Sequence, residues 1–135
     1  MSSLSIENRI AEMIRVESWW GELAKEQNWP DRTRFALDMI LNESLTNIIN
    51  YGYPEGGTHQ IELVLEGQGD KVELQITDDA IPFNPLEAPE PPPVTDLESV
   101  AIGGRGILLM KKYSDEISYS RSGDHNVLKV TLLTQ

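Results

Sequence analysis

Between residue 5 and about residue 27, the apolar side chains Ile6, Ile10, Met13, Trp20 and Leu23 recur at helical spacing, with arginine and glutamate on the intervening positions. That stripe predicts an amphipathic N-terminal helix, broken at Asn28-Trp29-Pro30. Asp31 is placed to cap a second, largely apolar helix that runs to about Asn50. Tyr51-Gly52-Tyr53-Pro54-Glu55-Gly56-Gly57 reads as its exit turn and loop. The period then changes to two. Ile61, Leu63 and Leu65 alternate with polar neighbours, Gly67-Gln68-Gly69-Asp70 suits a hairpin, and Val72, Leu74 and Ile76 form the returning strand. That strand ends in Thr77-Asp78-Asp79-Ala80. Six of the eight prolines fall in residues 82–93, so an irregular, extended segment is predicted there. Gly103-Gly104-Arg105-Gly106 precedes a short apolar helix from residue 107 to about 113, and two last strands are predicted near 116–121 and 126–133.

Hairpin-joined strands with helices gathered on one face predict an α+β two-layer sandwich, its sheet mostly antiparallel. One domain, residues 1–135, is expected for a chain of 135 residues, and a hydrophobic content of 39% is enough to build its core. No cysteine is present, which excludes disulfides and thiolate metal sites. No stretch is apolar enough to span a membrane, and the first residues lack the basic-then-apolar order of a signal peptide, so a cytoplasmic protein is expected. His59 and His125 fall in predicted loops and are expected at the surface, while Trp19, Trp20 and Trp29 are expected in the core and helix packing.

Charge is unevenly spread. Residues 54–102 carry 1 basic and 11 acidic groups, whereas residues 103–135 carry 5 and 3. The middle of the chain repels a phosphate backbone, which argues against nucleic-acid binding. A polyanionic ligand is instead expected at the one net-positive segment, where the glycine cluster lies.

Within the second helix, Glu43, Asn47 and Asn50 share an arc roughly 60° wide, flanked by Met39 and Ile40. A carboxylate and a carboxamide one turn apart, set among apolar neighbours, carry a desolvation cost unless something pairs with them. A nucleotide–metal complex would do so: the carboxylate handles a proton, and the amide oxygen is a hard donor suited to Mg²⁺.

Three segments therefore line up: Glu43-x-x-x-Asn47 on a helix, Asp78-Asp79-Ala80-Ile81-Pro82-Phe83 at a strand end, and Gly103-Gly104-Arg105-Gly106 before a helix. In order and spacing they resemble the N, G1 and G2 boxes of the GHKL (Bergerat-fold, histidine-kinase-like) ATP-binding domains, over about residues 35–135. The stretch from Gly104 to Met110, with Asn126-Val127-Leu128, is most similar to the small anti-sigma-factor serine/threonine kinases of the RsbW and SpoIIAB type. The resemblance implies a Bergerat sandwich, with a lid over about residues 84–106, that binds Mg–ATP. It implies adenine recognition by Asp78 beside Ala80, Mg²⁺ ligation by Asn47, and Glu43 as the general base. The glycines at 103, 104 and 106 would approach the phosphates, with Arg105 neutralising charge among them. It further implies phosphorylation of a STAS-domain anti-sigma-factor antagonist, sequestration of a sigma factor, and a homodimer. Two alternatives stay open at this point: an ATP-binding partner-switching module without kinase activity, and a free-standing ATPase. The chain also departs from the pattern. The G1 box usually has glycine where Ala80 stands, so the added methyl either crowds the adenine pocket or is accommodated where the local φ is negative.

Overall fold

The computed structural model describes residues 1–82 and 110–134. Its elements are β1 (Ser2–Glu7), α1 (Met13–Glu26), α2 (Asp31–Tyr51), β2 (Gln60–Gln68), β3 (Lys71–Asp78), β4 (Glu116–Ser122) and β5 (His125–Leu133), with a 3-10 turn at Ile10–Glu12 before α1. The strands form one sheet in the order β1-β2-β3-β5-β4, and every neighbouring pair is antiparallel. This is the α+β arrangement, an antiparallel sheet with helices packed against it, expected from the sequence pattern.

Period two decides which side chains enter the core. Ile61, Leu63 and Leu65 of β2, Val72, Leu74 and Ile76 of β3, and Leu128, Val130 and Leu132 of β5 are all buried on one face. Against them α2 lays Leu37, Ile40, Leu41 and Leu45, each buried. Charged and polar residues such as Glu62, Glu73 and Lys129 hold the alternate positions, which keeps the other face polar.

The N-terminal helix expected from residue 5 does not begin there. Residues 2–7 are a strand paired with β2, and α1 starts only at Met13. The segment carries both periodicities at once: Ile6, Ile10 and Met13 fit a helix, whereas Leu4 and Ile6 alternating with Ser3 and Ser5 fit a strand. Pairing wins because β2 otherwise presents an unpaired edge, and the ladder from Ser2↔Leu65 to Glu7↔Gln60 satisfies its backbone groups. Ile6 is consequently fully buried, while Ile10 is 49% exposed. Glu12 fastens the bend between β1 and α1, its Oε2 accepting the Glu7 N–H and the Arg15 guanidinium at 2.8 Å each.

The break after α1 lies where the sequence puts it. Asn28 takes a left-handed conformation with φ 55°, Asn28 N–H donates to Lys25 C=O, and Trp29 N–H to Ala24 C=O. This is a Schellman closure with asparagine at the left-handed position. Trp29 is buried against Gly67, and Trp19 and Trp20 pack at the edge of the core. Asp31 does not cap α2. Pro30 occupies the N-cap without a side-chain cap bond, and Asp31 becomes the first helical residue, where a negative charge suits the helix dipole. No helix among the described residues is long and apolar enough to cross a membrane.

The strand assignment of the N-terminus is testable. Ile6→Ala should cost about 2–4 kcal/mol in denaturant unfolding, whereas Ile10→Ala should stay within about 0.5 kcal/mol. Comparable losses at both positions would favour a continuous helical face instead.

Candidate functional site

β3 ends with a carboxylate at a core position. Asp78 continues the inward series Val72, Leu74 and Ile76, and only 4% of it is exposed. A buried carboxylate needs donors. The ladder brings one directly across, since Asp78 pairs with Asn126 of β5. Oδ1 of Asp78 accepts the Asn126 Nδ2–H at 2.9 Å and the Ala80 N–H at 2.9 Å. Among the described residues, no donor reaches Oδ2. Burial pushes the Asp78 carboxyl above its ordinary value; the bonds from Asn126 and Ala80 oppose that rise, the nearby Asp79 adds to it, and Arg121 counters it.

Beside this carboxylate lies a cavity of about 40 Å³, and Asp78, Asn126 and Tyr119 meet Ser44 and Asn47 of α2 across it. At that volume it does not hold a whole ring. Met110, fully buried, closes one side and accepts the Ser44 hydroxyl at 3.6 Å. Helical spacing thus sends Asn47 toward Asp78, and the strand period sends Asp78 toward Asn47. Glu43 lies one turn earlier on α2 and is half-buried. Asn50 is exposed and, like Glu43, does not line this cavity. Gly103, Gly104, Arg105 and Gly106, and the lid expected over 84–106, lie outside the described residues.

Ala80 is accommodated without crowding. It is 5% exposed, and Asn28 is the only non-glycine residue with positive φ among those described, so Ala80 needs no left-handed backbone. Its methyl faces Gly52 at the end of α2, where a Cβ built on Gly52 would stand 2.7 Å from the Ala80 Cβ and 2.6 Å from the Ile48 carbonyl oxygen. The side chain that the G1 position gains is absent from the residue opposite. Ile81 N–H donates to Gly52 C=O at 3.1 Å and ties the two segments together.

Several participants escape a reading of the sequence alone. Asn126 stands out there only as part of a resemblance, yet its Nδ2 donates to Asp78 Oδ1 and to the Ile81 carbonyl at 2.9 Å each. Its Oδ1 accepts the Tyr119 hydroxyl, and Arg121 donates to the Ala80 carbonyl at 2.9 Å. His59, expected in a loop at the surface, stacks on Tyr53 with ring centroids 4.3 Å apart. Asp79 joins both, its Oδ2 3.0 Å from His59 Nδ1 and its Oδ1 accepting the Tyr53 hydroxyl at 3.1 Å. The His59 contact holds the Asp79 carboxyl below its ordinary value, while burial pushes the Tyr53 phenol up. Only the alternation that puts Asn126 on the inner face hints at any of this.

A helix carrying Asn47 and a buried strand-end aspartate, facing each other on a mixed-order antiparallel sheet, agree with what comparison with known proteins finds. The model of the histidine kinase-like ATPase domain matches residues 6–132. The chain belongs to that family. It is also 31% identical, over 113 residues, to the serine/threonine-protein kinase BtrW of Bordetella bronchiseptica, covering 84% of this chain and 80% of that protein. Among solved structures, the histidine kinase domain of a blue-light-activated histidine kinase from Erythrobacter litoralis superposes with a TM-score of 0.57 at 14% identity. That match covers 78% of this chain and 46% of the other, and it concerns the fold alone. The chain is thus an ATPase domain, which implies ATP binding.

Two outcomes follow for this ATPase domain. Gly52→Ala should cost about 1–3 kcal/mol, because the new methyl meets backbone and Ala80 together; chemical denaturation measures it, and an unchanged midpoint would contradict the close approach. Asp78→Asn should unfold at an equal or higher temperature than the parent at pH 7. A carboxyl whose folded value is raised costs stability wherever it is charged, and that cost fades as pH falls through the folded value toward the unfolded one of about 3.9. The difference between the two proteins should therefore close on acidification, and a lower midpoint at pH 7 would show that its hydrogen bonds outweigh burial.

Proposed function

We propose that this protein is a Mg–ATP-dependent serine/threonine protein kinase of the anti-sigma-factor type. The observation that carries the reading is the buried Asp78 carboxylate, held on one oxygen and facing Asn47 across a cavity. Asp78 accepts a hydrogen bond from the adenine amino group, a contact that the carbonyl of guanine cannot make. Asn47 supplies a hard amide oxygen to the magnesium ion. When bound, Mg²⁺ supplies charge neutralisation on the phosphates.

Glu43, one turn before Asn47, accepts the proton of the attacking serine hydroxyl. Gly103, Gly104 and Gly106 offer backbone N–H groups to the phosphates, and Arg105 stabilises charge on the transferring phosphoryl group. Asn50 extends the polar stripe of α2 toward the nucleotide. Catalysis is then mainly positioning and charge stabilisation. The similarity to BtrW, a serine/threonine-protein kinase, supports this reading over plain ATP hydrolysis. The acceptor in this proposal is a STAS-domain anti-sigma-factor antagonist, the alternate partner is a sigma factor, and the working form is a cytoplasmic homodimer.

The test is γ-labelled ATP with such an antagonist and its serine-to-alanine variant. Glu43→Ala should lower phosphotransfer by at least about a hundredfold while ATP affinity changes little. Equal loss of binding and transfer would remove the general-base role. Asn47→Ala should make ATP binding indifferent to Mg²⁺; a retained magnesium dependence would place the ion elsewhere.

A further inference from the structure

The β4–β5 hairpin sends three side chains to the turn that follows β3. Arg121 donates to the Ala80 carbonyl, Asn126 to Asp78 Oδ1 and the Ile81 carbonyl, and Tyr119 to Asn126 itself. At their centre is the Asn126 amide, 6% exposed. Its nitrogen faces three acceptors, Asp78 Oδ1 and the Ile81 carbonyl at 2.9 Å and the Ala80 carbonyl at 3.4 Å. Its oxygen accepts the Tyr119 hydroxyl. A flipped amide would set its oxygen against a carboxylate and two carbonyls, so the surroundings permit one orientation.

We propose that Asn126 is a positioning residue for base recognition: it pins Oδ1 of Asp78 and thereby reserves Oδ2 as the acceptor offered to a purine amino group. The inference rests on the nucleotide reading above and deepens it. Asp78 Oδ1 already takes two donors, the Asn126 amide and the Ala80 N–H. Rotation of the carboxylate would break both. The same network sets what Tyr119 offers: its single proton is committed to Asn126, so toward the cavity it presents a lone pair. A ligand edge bearing N–H groups is favoured there, and one bearing carbonyl oxygens is not. Removing the bond from Asn126 also removes one of the influences that restrain the rise of the Asp78 carboxyl. Among the described residues, the charged and titratable groups left around it are Asp79 on the same turn, Arg121 and Tyr119 on β4, and Tyr53 from the loop after α2.

Titration calorimetry of ATP and of ITP, which replaces the amino group by a carbonyl but keeps the phosphates, separates the possibilities. The parent protein should prefer ATP. In Asn126→Ala the ATP-to-ITP preference should fall by about tenfold or more, with ITP affinity nearly unchanged. The acid limb of ATP binding, corrected by ITP for phosphate titration, should move to higher pH. Equal loss of both nucleotides in a variant of a parent that discriminates would show a merely structural role and overturn the inference. A parent that does not discriminate would instead overturn the Asp78 reading beneath it. Should Asn126→Ala not fold, Asn126→Leu keeps the side-chain volume and removes the amide donor. The same preference should then fall by about threefold or more, and an unchanged preference would overturn the proposal.

Discussion

A carboxylate placed at a core position is the constraint around which this molecule is arranged. Asp78 occupies the last inward site of β3, where the preceding inward residues are Val72, Leu74 and Ile76. A group with that desolvation cost persists only where the surroundings supply donors. Three elements contribute to its setting. β5 provides Asn126 across the ladder, the turn after β3 provides the Ala80 N–H, and β4 provides Arg121, which holds the Ala80 carbonyl. The order β3-β5-β4 matters for this reason: it brings a late hairpin against a strand end far away in sequence.

Much of the architecture is legible along the chain because it is local. Period two in β2, β3 and β5 and the hairpin residues between β2 and β3 are short-range signals, and so is the left-handed Asn28 that ends α1. Their positions agree with the sequence reading to within a few residues. β1 is the exception, and its reason is physical. Leu4 and Ile6 fit either period, and the preference for a strand comes from the unsatisfied edge of β2 more than fifty residues later. Asp31 does not cap for a local reason: the extended Pro30 already holds the N-cap, so Asp31 falls inside the first turn.

The site divides in the same way. Asn47 and Asp78 could be matched in advance because each lies on an element whose periodicity names its face. The roles of Asn126, Tyr119 and His59 could not be seen, since each depends on a partner that only the folded sheet supplies. Asn126 illustrates the limit well. Its inward position is visible from the alternation of β5, but an inward asparagine becomes intelligible only when the residue across the ladder proves to be a carboxylate. His59 likewise occupies a loop, yet Tyr53 and Asp79 engage it there.

The exchange between Gly52 and Ala80 links these observations. α2 ends at Gly52, whose carbonyl receives the Ile81 N–H while its missing side chain makes room for the Ala80 methyl. The turn after Asp78 is therefore gripped from two directions, by the end of α2 on one side and by Asn126 and Arg121 on the other. Asn47 lies little more than one helical turn before Gly52 on the same rigid helix. The spacing between the amide of Asn47 and the carboxylate of Asp78 is thus set by backbone contacts rather than by the side chains that meet a ligand. A larger residue at position 52 would shift one against the other before it altered either. That coupling explains how alanine can stand at the G1 position: the methyl points into the joint between helix and turn, where it adds packing, and not into the space where a base would be read.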